Sequence, residues 1–120
     1  MSALVFELPL PTNMANGRLH WAVKNKKRQA YLNDCDVINW AIFRRCFTPF
    51  ENATATITMR VARLHDHDNA FARCKWAIDW LVSRGVIADD SPKCLSYSGL
   101  PTQTIDRKNP GITITLERLT

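Results

Sequence analysis

The sequence predicts an α+β domain: a small mixed β-sheet packed with two main helices, in the order β-α-β-α-β-β. Three observations carry that expectation. Residues 53–64 alternate, with Ala55, Ile57, Met59 and Val61 facing one way and Thr54, Thr56, Thr58 and Arg60 the other. A period of two belongs to a half-buried strand. Residues 69–84 repeat Phe71, Cys74, Ile78, Leu81 and Val82 at helical spacing and run into Gly85, where a left-handed C-cap glycine is expected. Residues 112–117 return to a period of two, Ile112, Ile114 and Leu116 against Thr113, Thr115 and Glu117.

The other elements follow in chain order. Residues 3–8 read as a short strand stopped by Pro9 and Pro11, and residues 11–17 carry the Pro, Asn and Gly of a loop. From about residue 19 to 46 the pattern is helical, with Tyr31, Cys35, Ile38 and Ile42 as its stripe and Val23, Ala30 and Ala41 in support. Asn33–Asp34 leaves one long helix or two shorter ones open, and Pro49 closes the segment. After Asp89–Asp90, residues 93–100 read as a strand and 101–110 as a polar loop. The whole would make a small sheet with two helical layers.

A length of 120 residues predicts one domain. Hydrophobic residues make up 46%, enough for a core, although a chain this small gains from oligomerisation. No run of 18 apolar residues and no signal pattern is present, so a soluble cytoplasmic protein is expected. Cys35, Cys46, Cys74 and Cys94 form no C-x-x-C pair. They read as reduced small hydrophobes, with a disulfide or zinc site as the lesser reading.

Net charge is +5, and its placement matters more than its sum. Arg18, Lys24, Lys26, Lys27 and Arg28 put five cations and no acid into eleven residues, with His20 and Trp21 among them. A solvated helix face is the plain reading of any charge run, but an acid-free run with an aromatic favours a polyanion surface.

The acids gather elsewhere. Asp66 and Asp68 stand at the end of the predicted strand, where a period of two would turn both carboxylates the same way. Asp68 also precedes a helix, as an N-cap would. After the helix, Gly85 turns the chain back to Asp89 and Asp90. Singly these are a cap and an acidic turn. Together they would need a cation among them, and oxygen-only donors suit Mg²⁺, or Mn²⁺ in its place. His65 and His67 invite zinc, but a strand would point them away from Asp66 and Asp68. Lys75, seven residues after Asp68 and four before Asp79, fits either a phosphate-holding group or an i,i+4 ion pair.

These residues resemble a known family. Asp66-His67-Asp68-Asn69, then Lys75, Asp79 and Leu81, then Gly85-Val86-Ile87-Ala88-Asp89-Asp90 resemble the RusA-type Holliday-junction resolvases of phages and prophages. Pro9-Leu10-Pro11 with Asn13, the Arg18-Leu19-His20-Trp21-Ala22 segment and the closing Pro110-Gly111-Ile112-Thr113-Ile114 strand are similar as well, so the likeness spans nearly the whole chain. Between Asp68 and Asp79 the chain is longer than the common pattern by about one helical turn, roughly three residues. Arg73 therefore stands as a second candidate for the role of Lys75.

The resemblance implies a homodimeric, Mg²⁺-dependent endodeoxyribonuclease that resolves four-way junctions or branched DNA by paired nicks. Asp66, Asp68 and Asp90 would be its metal carboxylates with Asp89 beside them, and Lys75 its catalytic lysine. Arg18, His20, Lys24, Lys26, Lys27, Arg28 and Arg73 would meet DNA. Two rivals accompany this reading: a non-catalytic branched-DNA-binding protein of the same fold, and a metal enzyme acting on a small phosphate substrate.

Overall fold

The alternation that predicts the sheet also decides which of its faces is buried. In a computed structural model that describes residues 3–11, 21–43 and 49–118, the elements are β1 (Ala3–Leu8), α1 (Trp21–Phe43), β2 (Ala53–Val61), α2 (His67–Arg73), α3 (Lys75–Ser83), β3 (Leu95–Tyr97), β4 (Thr102–Ile105) and β5 (Gly111–Arg118). The mixed sheet has five strands in the order β1-β5-β2-β3, with β4 also on β2. β5 is antiparallel to both its neighbours, while β3 and β4 run parallel to β2 and share its far edge end to end, at 53–55 and 58–61.

The inward residues of β2 and β5 are buried as their alternation predicts, Ala53 to Val61 at every second position and Ile112, Ile114 and Leu116, and β1 adds Phe6 and Leu8 to the same face. The opposite face is polar and is tied by its own hydroxyls and charges. Thr56 Oγ1 donates to Ser98 Oγ at 2.9 Å, and Arg60 joins Thr113 and Glu7. Only one face of the sheet is buried in the core, so the expected two helical layers are a single layer of α1 and α3 packed together.

α1 runs unbroken through Asn33–Asp34. Its buried stripe is Tyr31, Leu32, Cys35 and Asn39, and Ile38, expected inside, is 51% exposed. Asn39 takes the inner place because its amide donates to the carbonyls of Glu7 and Cys35, both at 3.0 Å. The bond to Glu7 joins α1 to β1, and a buried polar group is tolerated when so bonded. At the other end of the layer, Arg84 and Trp80 both reach Asp36 and lock α3 to α1.

Three further expectations change. Residues 101–110 hold a strand, β4, which carries no hydrophobic alternation because backbone bonds to the edge of β2 define it. β2 ends at Val61, where pairing with β4 ends and the Asp106 amide caps the Val61 carbonyl, so it does not reach 64. The expected helix over 69–84 is two helices. At Cys74 the amide bonds the Phe71 carbonyl three residues back at 3.0 Å, a tightened turn that breaks the axis. Gly85 follows α3 with φ +73° as its sequence position predicts.

Cys35 and Cys74 are free and buried, and burial pushes each thiol up to about 12, leaving them as unreactive packing groups. Cys94 is free and half-buried, and Cys46 lies outside the described residues. Among the described residues no helix is long and apolar enough to cross a membrane.

Candidate active site

The two acidic motifs are positioned by different routes. Asp66 is the N-cap of α2, with its Oδ1 accepting from the Asn69 amide at 2.8 Å and its Oδ2 from the Asn69 side chain at 3.1 Å. The cap is thus Asp66, not Asp68. Asp68 is exposed in the first helical turn, where a carboxylate is favoured by the helix dipole. Because β2 stops early, Asp66 and Asp68 do not share a strand face. Two positions along a helix start differ by about 200°, so these carboxylates diverge.

Asp89 and Asp90 are placed by backbone. The Phe50 amide donates to the Val86 carbonyl and the Ala88 amide to the Phe50 carbonyl, both at 2.9 Å, a parallel bridge opposite Ile87. Pinned just upstream, the Asp89 carboxylate accepts from the Asp90 amide at 2.9 Å. The Asp90 carboxylate accepts from Lys75 Nζ at 3.2 Å, and the same ammonium meets Asp79 at 3.2 Å. Hydrogen bonds to Asp90 and then Asp79 hold the Lys75 ammonium above its ordinary value. Both readings of Lys75 are therefore present at once: the i,i+4 ion pair exists, and the residue also touches Asp90.

Asp79 extends the chain of charges to α1, since Arg28 Nε lies 3.4 Å from its Oδ2. Arg28, Lys24, Trp21 and Trp76 line a shallow cleft of about 440 Å³, so the basic segment and the Lys75–Asp90 pair are neighbours. Lys26 and Lys27 are exposed on α1, whereas Arg18 and His20 lie outside the described residues. Arg73 turns away from the Lys75 cluster and bonds His65 and Pro11.

As a donor set, Asp66, Asp68, Asp89 and Asp90 fit a hard divalent cation, being oxygen only. Among the described residues no three His, Cys, Asp or Glu side chains stand at ligating spacing. Asp66, Asp89 and Asp90 instead take protein donors. His65 and His67 do not form a pair: His65 bonds Arg73, while His67 opens α2.

Sequence reading missed the neighbourhood of Arg63 and Arg107, which are 44 positions apart. They come together because β2 and β4 are parallel, with Val61 opposite Ile105. No local pattern carries that register; only a recognised β4 would have revealed it. No family model matches the chain, and no curated protein matches it either.

Proposed function

We propose that this chain is a Mg²⁺-dependent, structure-selective endodeoxyribonuclease of the Holliday-junction resolvase kind, acting on four-way or branched DNA. The observation that carries the reading is the run of alternating charges Arg28–Asp79–Lys75–Asp90, which links the basic helix to the second acidic motif. An acid motif beside a cationic face has a use where a metal and a phosphodiester meet.

A cation would have to draw the carboxylates of Asp66, Asp68, Asp89 and Asp90 together, since they stand apart among the described residues; its chemistry when bound is activation of water and compensation of charge at the leaving oxygen. The chain's own groups do the rest. Lys75, kept charged by Asp90 and Asp79, would neutralise a non-bridging phosphate oxygen beside them. Lys24, Lys26 and Lys27 hold the backbone of the DNA arm, and Trp21 and Trp76 line the floor between. The homodimer implied by the resemblance would use the outward face of α1, where Val37, Ile38 and Trp40 are 71%, 51% and 57% exposed.

The test is cleavage of a synthetic mobile four-way junction with Mg²⁺, Mn²⁺ or EDTA. Cutting is expected with either cation and absent with EDTA. Asp68→Asn and Asp90→Asn should each abolish cutting while junction binding persists. Unchanged cutting by both variants would overturn the site, and a wild-type chain that binds junctions but cuts under no condition would be a branched-DNA-binding protein instead. Equal, weak binding to a junction and a linear duplex would count against the resolvase reading.

A further inference from the structure

Beyond Val61 and Ile105, which are paired in parallel register, β2 and β4 release Arg63 and Arg107 side by side. Between these two and α2 lies a cleft of about 530 Å³, within the range of small-molecule sites. Arg63, His65, Arg73 and Arg107 supply its polar lining, and Pro9 and Pro110 part of its apolar wall. No carboxylate lines it among the described residues.

Arg73 is the telling group. Burial pulls its guanidinium below its ordinary value, yet the partners that hold it are neutral. Its Nε donates to the Pro11 carbonyl at 2.7 Å and its Nη1 to His65 Nε2 at 2.8 Å. An arginine only donates, so His65 accepts through Nε2 and carries its proton on Nδ1. His65 is itself fixed, since its backbone amide and carbonyl are bracketed by the Gln103 side chain, both at 2.9 Å. The charge of Arg73 is thus held in a fixed orientation and, among the described residues, paired with no acid. Arg63 and Arg107 likewise form no ion pair among the described residues, whereas Arg28, Arg60, Lys75 and Arg84 all do.

Three guanidiniums around one concavity repel one another and focus a positive field. One planar carboxylate satisfies one guanidinium fork, whereas a tetrahedral oxyanion offers oxygens in several directions. We propose that this cleft is a phosphate-oxyanion site, with Arg73 as its fixed donor and the exposed Arg63 and Arg107 closing on the anion from the sheet side. His65 directly precedes the helix cap Asp66, so the cleft adjoins the first acidic motif. On the nuclease reading, on which this attribution rests, the oxyanion is a backbone phosphate of the bound DNA strand.

The experiment has two arms. In the first, the arginine Nε–H resonances of the full chain are followed by NMR during titration with inorganic phosphate, against chloride at equal ionic strength. Saturable shifts of Arg63, Arg73 and Arg107 are expected, and their loss in the double variant Arg63→Gln/Arg107→Gln. Shifts no larger than those with chloride overturn the site. The second arm measures junction affinity against salt. The double variant should bind more weakly, with a log–log slope shallower by about 0.9 for the phosphate given up. Phosphate shifts with an unchanged slope overturn the DNA attribution and leave a site for a free phosphate compound. A chain that shows the shifts but neither binds nor cuts junctions overturns the nuclease reading and not the cleft. Both substituted residues are exposed, and an unchanged unfolding transition verifies that the fold is retained.

Discussion

The two ends of α3 carry similar residues and put them to different uses. At the C-terminal end Arg84 grips Asp36 with both arms, Nε to Oδ1 and Nη2 to Oδ2 at 2.7 Å each, and Trp80 Nε1 adds a third bond at 2.8 Å. At the N-terminal end Lys75 spans Asp79 and Asp90 at 3.2 Å, and Arg28 stands 3.4 Å from Asp79. Side-chain exposure follows the same division, 33% for Arg84 and 61% for Lys75. A planar fork matched to a carboxylate fixes position, while an ammonium is a point charge that exchanges partners. One end is built to stay; the other is able to let go.

The widest separation between the ends should appear on truncating Trp80. The ring is fully buried, edge-on to Phe6 at 5.7 Å, so Trp80→Ala should cost about 3–5 kcal/mol in denaturant unfolding. Next comes Lys75→Ala, for which junction cutting should fall roughly 10²–10³-fold while stability moves by less than about 1 kcal/mol. If that variant were destabilised as much as Trp80→Ala, the distinction between the ends would fail.

Asp36→Asn should cost about 1 kcal/mol, since the clamp is strong in geometry but partly open to solvent. Its pH signature sharpens the contrast. Hydrogen bonds from Arg84 hold the Asp36 carboxyl below its ordinary 3.8. A depressed carboxyl stabilises above its unfolded value and loses that contribution as pH falls through the folded one. Acid unfolding measured below about pH 4 should therefore be less steep in Asp36→Asn than in the wild type. Smallest of all is the mirror effect at Lys75. Its raised value makes its contribution present below the ordinary 10.5 and lost as pH rises beyond the folded value. Lys75→Gln should change alkaline stability by under about 0.5 kcal/mol.

What sequence reading could reach depended on whether a residue's role was local. β2 and β5 show in their alternation because one face of each is buried, and β1 shows as a short strand stopped by Pro9 and Pro11. Gly85 shows because a helix must end there with positive φ. β4 does not show, because an edge strand with no buried face leaves no hydrophobic signature. Asp66 and Asp68 were found by residue type but misplaced in geometry, because the end of β2 is set by β4, over forty positions away. The exposure of Ile38 is a related case. Asn39 takes the inner place through a bond to the Glu7 carbonyl, and no apolar pattern signals a buried amide. The Lys75–Asp79 pair is local and was legible from spacing; the Arg28–Asp79 contact is not.

The place of β5 between β1 and β2 also governs the order of events during synthesis. Leu8 pairs with Ile112, so at about 5–20 residues per second the ribosome leaves β1 without its partner for roughly 5–20 s. β1 stays a bare edge for all of that interval and β2 for the part that follows its own synthesis, until the strand that joins them is made. A nascent chain of this kind has reason to meet a chaperone before it has a complete sheet.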